Sequence, residues 1–299
     1  MIIANKYRTL ELIGSGCFGC IMKGENIRTK EEVAIKVERI DASTKLLKNE
    51  TQIYLLLSKQ ESSGFPSIKW FGKDEQFFYM VMELLGQPVS SFKSNPSQNN
   101  KDLSLPIDVV SKIGIQIIDR LQKLHTTGLV HRDIKPENLL FGLGRKSHII
   151  HLIDFGFCKS YLDTDGTHVK CETGKSIIGT PNFISINMHN GLTMSRRDDL
   201  ESMVYVLIYL FLPLETWDRM FNREIKEEEI SAGYRSVLNS KKELLTPNGS
   251  AVIHSSLKTL LQYCVDLGFN ETPNYEYMKQ MLQVEKNGRC KSMSGAKNK

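Results

Sequence analysis

Up to about residue 80 the chain alternates apolar and polar positions in short runs, the two-residue period of half-buried strands. Tyr7 to Ile13, Ile21 to Gly24, Val33 to Val37 and Phe77 to Met82 read as strands, bounded by Gly or charged turns. One helix interrupts them at Leu46 to Leu57. There Leu46, Leu47, Ile53, Tyr54 and Leu57 recur at helical spacing, with Glu50 on another part of the surface. From Gly86 onward the period lengthens. Val109 to His125 and Leu200 to Leu212 read as long apolar helices, with strand-like pieces at Asn138 to Leu140 and His148 to Ile153. Ser90 to Pro106 reads as a polar loop, and no internal repeat is visible. The pattern predicts an α+β chain in two lobes: a sheet-rich one over 1–85 with one main helix, and a mostly helical one over 86–284. They join near residues 83 to 87, and a basic tail follows over 285–299.

Composition narrows this picture. With 299 residues, 40% of them hydrophobic, the chain is long enough to bury a substantial core. The N-terminus lacks a basic segment followed by a long apolar run, and no stretch is apolar for a bilayer's width. The expectation is a soluble monomer without membrane insertion, intracellular, in the cytoplasm, the nucleus or both. The formal charge of +5 is carried by Lys and Arg interspersed with acids, so nucleic acid is not expected as a substrate. Lys226 to Glu229 reads as a solvated helix face and Gly288 to Lys299 as a frayed basic end. The spacing of Cys17 and Cys20 admits a redox or metal role. Without a second pair to complete a four-ligand site, we read them as two small residues in a turn.

The candidate chemistry begins with Gly14-Ser15-Gly16-Cys17-Phe18-Gly19-Cys20-Ile21, a GxGxxG run where bare backbone amides can approach phosphates. Alone it fits a kinase loop, a dinucleotide loop or a plain turn. A dinucleotide turn would open a helix directly, whereas a strand is predicted from Ile21. Val33-Ala34-Ile35-Lys36 follows, and a lysine at the end of that strand can reach phosphates beneath a glycine flap, held by an anion such as Glu50 on the next helix. His131-Arg132-Asp133-Ile134-Lys135-Pro136-Glu137-Asn138 matches the kinase catalytic-loop pattern. That chemistry needs a carboxylate beside the attacking hydroxyl and a neutral oxygen ligand for a metal ion, which Asp133 and Asn138 supply. Asp154-Phe155-Gly156 follows the apolar run ending at Ile153, placing a second metal-binding carboxylate at a strand end. His131 is expected to hydrogen-bond the backbone around this loop, because Asp133 already fills the role of base. The remaining histidines show no zinc spacing.

More closely, the chain resembles the casein kinase 1 family of serine/threonine protein kinases. The resemblance is carried by Gly179-Thr180-Pro181-Asn182-Phe183-Ile184-Ser185-Ile186-Asn187, by Ser195 to Ser202, by Met80 to Gly86 and by Asn274 to Tyr277. It covers about residues 7–282. It implies a bilobal protein kinase fold and transfer of the γ-phosphoryl group of ATP, with Mg2+, to Ser or Thr of protein substrates in an acidic context. Asp133, Lys135, Lys36, Glu50 and Thr180 are then catalytic, with Thr180 tying its segment to Asp133 and Lys135. Lys135 resembles the lysine of serine/threonine enzymes that steadies the γ-phosphate. Nucleotide is held by Ile13, Gly14, Ser15, Gly16, Cys17, Phe18, Gly19, Cys20, Ile21, Ala34, Lys36 and Leu140, with Met82 as gatekeeper and the backbone of Glu83 and Leu85 at the adenine edge. Asn138 and Asp154 are the metal ligands, and Asp199 braces the catalytic loop from a buried helix. Relatives are active without activation-loop phosphorylation, and the same is expected here.

The chain departs from the family at Asn182, where an arginine commonly helps bind substrates already phosphorylated upstream. Asparagine cannot replace that charge. Two other classes remain to be weighed. A pseudokinase scaffold would be favoured by loss of Lys36, Asp133, Asn138 or Asp154, all of which are present. A small-molecule phosphotransferase is disfavoured by Lys135 and the Thr180 segment.

Overall fold

The computed structural model of the chain describes residues 1–16, 19–59, 63–93, 103–221 and 230–283. Its N-terminal part is one antiparallel sheet built from β1 (Ile2–Ile3), β2 (Tyr7–Gly16), β3 (Gly19–Asn26), β4 (Glu32–Arg39), β5 (Ile68–Lys73) and β6 (Phe77–Glu83), in the order β1-β2-β3-β4-β6-β5. The strand alternation sets up the site. Val33, Ile35 and Val37 pack with Tyr7, Tyr79 and Val81 on one face, while Ala34 joins Met80 and Met82 in the main core on the other. The two-residue period therefore turns Lys36 and Glu38 toward the same side as Ala34.

Helix α1 (Leu47–Ser58) lies on that side. Glu38 fixes its start, accepting from the backbone N–H of Leu46 at 2.7 Å and of Leu47 at 3.1 Å, two donors that a helix N-terminus leaves unpaired. Leu47, Ile53, Tyr54 and Leu57 are buried as the helical spacing predicts. Glu50 and Thr51 are buried too, so the inward face is wider than its apolar stripe, and Glu50 does not stand on the outside.

The C-terminal part is helical: α2 (Ile107–Thr126), α3 (Ile186–His189), α4 (Arg196–Phe211), α5 (Leu214–Phe221), α6 (Ile230–Leu244), α7 (Ser255–Asp266) and α8 (Tyr275–Leu282). Short strand pairs carry the loops between them: β7 (Leu129–Val130) with β10 (Lys159–Ser160), and β8 (Leu139–Phe141) with β9 (Ile150–Leu152). Helix α4 is buried on nearly every side, packed against α2 and α7. It starts four residues before the Leu200 read from hydrophobicity, because its first turn is made of buried acids, Asp198 and Asp199. Among the described residues, no helix is long and apolar enough to cross a membrane.

Several local expectations need correction. Asn138 sits in a 3-10 turn, Pro136–Asn138, because Pro136 presets the turn, and the strand begins at Leu139. Val89–Lys93 forms a 3-10 turn where a loop is expected from Ser90; residues 94–102 of that loop lie outside the described residues, and 103–106 are irregular as expected. Cys20 is in strand β3, paired with Ser15, and not in a turn. Cys17, Phe18, the Lys226 to Glu229 run and the tail from residue 284 also lie outside the described residues.

Candidate active site

Two groups of side chains meet where the sheet faces the helical part. In the first, Lys36 Nζ lies 2.7 Å from Glu50 Oε2 and 2.9 Å from Asp154 Oδ1, joining β4, α1 and the segment after β9. Burial would lower the Lys36 ammonium, but Glu50 and Asp154 outweigh it and hold it above its ordinary value. Burial likewise works to raise Asp154, and Lys36 prevails, keeping that carboxyl below the ordinary range. Glu50 is the more enclosed carboxylate; its burial pushes it up, with Lys36 pulling it back. Asp154 holds a left-handed backbone (φ 66°), uncommon for a residue with a Cβ and of the kind that persists where surroundings over-determine it. Its N–H donates to the Tyr54 hydroxyl at 3.2 Å, and Phe155 is fully buried edge-on to Tyr54, ring centroids 4.7 Å apart.

The second group is built on the catalytic-loop octet. Asp133 Oδ2 accepts from Lys135 Nζ at 2.7 Å and from Asn138 Nδ2 at 3.3 Å, and Asn138 Nδ2 also donates to the Asp133 carbonyl at 2.9 Å. Asp133 Oδ1 lies 3.4 Å from Thr180 Oγ1. That contact is long, and among the described residues Thr180 makes none with Lys135, so the tie expected to both is made weakly and to one. His131 Nε2 faces the Ile153 carbonyl at 3.0 Å, the backbone role expected of it. The Ile153 N–H donates to the Asn138 carbonyl at 3.0 Å and His131 stands edge-on to Phe155, ring centroids 5.3 Å apart, so the octet touches the neighbours of Asp154 on both sides in sequence and the two groups share one site.

Asp199 holds the octet from beneath. Wholly buried in the first turn of α4, it accepts from the N–H of His131 at 2.6 Å and of Arg132 at 2.8 Å, and faces His125 Nε2 at 3.0 Å. Burial opposes its charge, but these bonds, His125 first, hold the carboxyl below its ordinary range. Arg132 is the other left-handed residue here, with φ 71°.

The remaining expected positions line the sheet side. Ile13, Gly14, Ser15 and Gly16 end β2; Gly19, Cys20 and Ile21 begin β3, with Gly14 paired to Ile21 and Ile21 to Lys36. Gly19 requires glycine, because at φ 138° a Cβ would sit 2.0 Å from the Val37 carbonyl. Gly16 is different: a Cβ there would meet nothing within 4 Å, so the fold itself does not demand glycine. Ala34 pairs with Met82, and both face the side of Lys36. The Glu83 N–H is taken by the Ser67 carbonyl at 2.9 Å, leaving only its carbonyl as a candidate for a ligand. Leu85 follows in the connection that Gly86 ties to Phe141, which brings Leu140, bridged to Pro88, under the same opening.

The residues fit a nucleotide with a divalent cation. Among the described residues no three His, Cys, Asp or Glu gather to hold a metal. Asp154 offers a carboxylate, and because the Asn138 amide nitrogen donates to Asp133, its Oδ1 is the atom left to act as a ligand. Two oxygen ligands from the protein, with phosphate and water completing the shell, is the usual arrangement for magnesium. A cavity of about 520 Å³ lies elsewhere, lined by Arg132, Lys159, Lys175 and Met188 among others. Glu38, Tyr54 and His125 escaped the sequence reading as site-forming residues: the first resembles a surface acid, and Tyr54 counts as one more apolar helix position.

The protein kinase domain family matches residues 7–295, nearly the whole chain and somewhat more than the span of the resemblance noted above. Over that span lie a sheet-rich N-terminal part, a helical C-terminal part, and the Lys36, Asp133 and Asp154 clusters between them. The chain belongs to the protein kinase domain family.

Proposed function

We propose that this protein is a serine/threonine protein kinase of casein kinase 1 type, transferring the γ-phosphoryl group of ATP to Ser or Thr hydroxyls of protein substrates. The observation that carries this reading is the convergence of the Lys36, Glu50 and Asp154 cluster with Asp133, Lys135 and Asn138. In this reading Lys36, positioned by Glu50, binds the nucleotide phosphates. Ala34, Met82, Ile13, Ile21 and Leu140 enclose the base, with the Glu83 carbonyl and Leu85 backbone at its edge, while Gly14, Ser15, Gly16, Gly19 and Cys20 leave the phosphate side open. Asp154 and Asn138 hold Mg2+, which neutralises charge on the phosphates when bound. Asp133 orients the substrate hydroxyl and takes its proton, and Lys135, 2.7 Å from that carboxylate, meets the transferred group. The two lobes then correspond to 1–85 and 86–284.

Activity without activation-segment phosphorylation belongs to the same proposal. It is supported by contacts that tie the segment to the residues after α3: Lys175 N–H to the Gly191 carbonyl at 2.9 Å and Thr193 N–H to the Glu172 carbonyl at 3.0 Å. Thr173 and Ser176 are exposed. Preference for acidic context, the monomeric state and an intracellular location are expectations of the same reading.

Peptides identical but for Ser, Thr or Tyr at the acceptor, in acidic and neutral flanks, test the proposal. Labelling of Ser and Thr peptides from Mg-ATP, undiminished by prior phosphatase treatment of the protein, is expected. Labelling confined to Tyr, or a need for prior phosphorylation, overturns the corresponding part.

A further inference from the structure

The turn that carries Thr180 to Asp133 is held from two sides, and one side is unusual. Its backbone and hydroxyl donors are met by acids of α4: the Ile186 N–H donates to Glu201 Oε1 at 2.8 Å and Ser185 Oγ to Asp198 Oδ1 at 2.6 Å. Its acceptors are met by one lysine of α6. Lys241 Nζ donates to the Pro181 carbonyl at 2.8 Å and to the Ile184 carbonyl, and lies 3.1 Å from His189 Nε2. Lys241 is completely buried, and its ammonium stands 4.5 Å from the centre of the Tyr205 ring. A lysine is rarely buried whole, because desolvating an ammonium is costly unless its donors are met. Two of its hydrogens face carbonyls of this turn, while His189 Nε2, at the end of α3, lies between Lys241 and the Pro181 carbonyl, 3.2 Å from the latter. Burial, and after it the Lys241 charge, push the His189 imidazole down to about 3; burial also lowers the Lys241 amine to about 7, with Glu201 pulling it back. Inside the turn, the Thr180 carbonyl accepts from the N–H of Phe183 at 2.8 Å and of Ile184 at 3.1 Å. Lys241 closes the outside.

We propose that Lys241 is a positioning residue: its ammonium sets the shape of the Pro181–Ile184 turn beside Asp133, and α6 thereby controls the affinity for protein substrate without touching nucleotide. This rests on the kinase reading above. A chain delivering its hydroxyl to Asp133 must pass this turn, whereas the nucleotide groups lie on the sheet side. If Lys241 merely filled space, an apolar side chain of the same length would serve as well, with no ammonium to desolvate.

The test compares Lys241→Met, Lys241→Gln and Val237→Ala, the last truncating a buried apolar residue of the same helix. Steady-state kinetics with an acidic serine peptide and Mg-ATP are measured together with amide hydrogen exchange. Lys241→Met is expected to raise the peptide KM roughly tenfold or more, the factor for one lost charged hydrogen bond, leaving the KM for ATP within about twofold. Lys241→Gln, which retains two N–H donors, is expected to fall between wild type and Met, although it is no better suited to an apolar site. Val237→Ala is expected to lower stability with the peptide KM unchanged. Exchange at Phe183, Ile184 and His189 should quicken in the Met variant while α2 is unchanged. A Met variant with wild-type peptide KM or wild-type exchange overturns the proposal. So does an equal rise in both KM values, or a Gln variant no better than Met. Wild-type protein that transfers no phosphate defeats the kinase reading instead, and exchange then still decides whether Lys241 holds the turn.

Discussion

Replacing Asp199 by Asn removes a charge and almost nothing else, which isolates how the catalytic loop is held. The wild-type carboxylate accepts from the His131 and Arg132 N–H groups at 2.6 and 2.8 Å and faces His125 at 3.0 Å, with no exposed surface. Asn keeps one acceptor oxygen and turns a donor toward at least one of those partners. One charge-assisted hydrogen bond is then lost, about 1.5–3 kcal/mol, and the others weaken to neutral strength, about 1 kcal/mol each. The sum is about 3–5 kcal/mol, a large share of the roughly 5–15 kcal/mol typical of a folded domain. With a urea dependence of about 3 kcal/mol per molar, the unfolding midpoint should fall by about 1 M or more. Arg132, at φ 71°, is then free to relax and carry Asp133 with it. Displacement on the order of 1 Å at a reacting group slows transfer about a hundredfold. Urea titration followed by far-UV circular dichroism, with phosphate transfer on the same samples, measures both effects. A midpoint within about 0.3 M of wild type and an unchanged kcat would refute the account of Asp199 as the support of this loop.

Other consequences follow from the same contacts. Lys36→Met should abolish transfer and leave Glu50 buried without its cation, so adding Glu50→Gln should restore part of the lost stability; strict additivity of the two changes would contradict a buried ion pair. Gly179→Ala forces a Cβ at φ 98° to within 2.8 Å of Ile184 and 3.0 Å of the Arg132 carbonyl, and should cost about 1–3 kcal/mol. Gly16→Ala meets nothing within 4 Å; stability should hold to about 0.5 kcal/mol while the KM for ATP rises, as calorimetry and kinetics can verify. Asp154 and Asp199 both have carboxyls held below the ordinary range, so the unfolded chain takes up protons near pH 4 that the folded chain refuses. Their stabilisation is present above that pH and lost as pH falls through the depressed folded values; the urea midpoint should decline in acid, less steeply in Asp199→Asn. Asn182→Arg should raise transfer to a peptide bearing an upstream phosphoserine relative to its unphosphorylated twin, and equal rates would count against a role for that position in reading phosphate.

The sequence showed the strands and helices whose two faces differ in polarity. Alternation revealed β2, β4 and β6, and with them the side of the sheet that carries Lys36. It missed β1, only two residues long, and β5, an edge strand whose Ile68, Trp70 and Phe71 do not alternate cleanly. The octet around Asp133 was legible because its residue types and spacing are themselves the chemistry. Glu38 and Lys241 were not, since each looks like an ordinary surface charge and only the folded chain turns it inward, onto the N–H groups of α1 or the carbonyls of the Thr180 turn. The onset of α4 was misplaced for the same reason: Asp198 and Asp199 are buried by hydrogen bonds that hydrophobicity does not register.

In the proposed reaction Asp133 serves phosphoryl transfer to a hydroxyl. Transfer of labelled phosphate from Mg-ATP to casein and to an acidic serine peptide should be measured with wild type and Asp133→Asn side by side, both shown to be folded and to bind ATP. The account predicts serine labelling by wild type and a loss of at least about a hundredfold in the variant, the scale of a lost general base. Equal rates in the two proteins, or a folded wild type that binds ATP and labels neither substrate nor any of a broad panel of proteins, would contradict it.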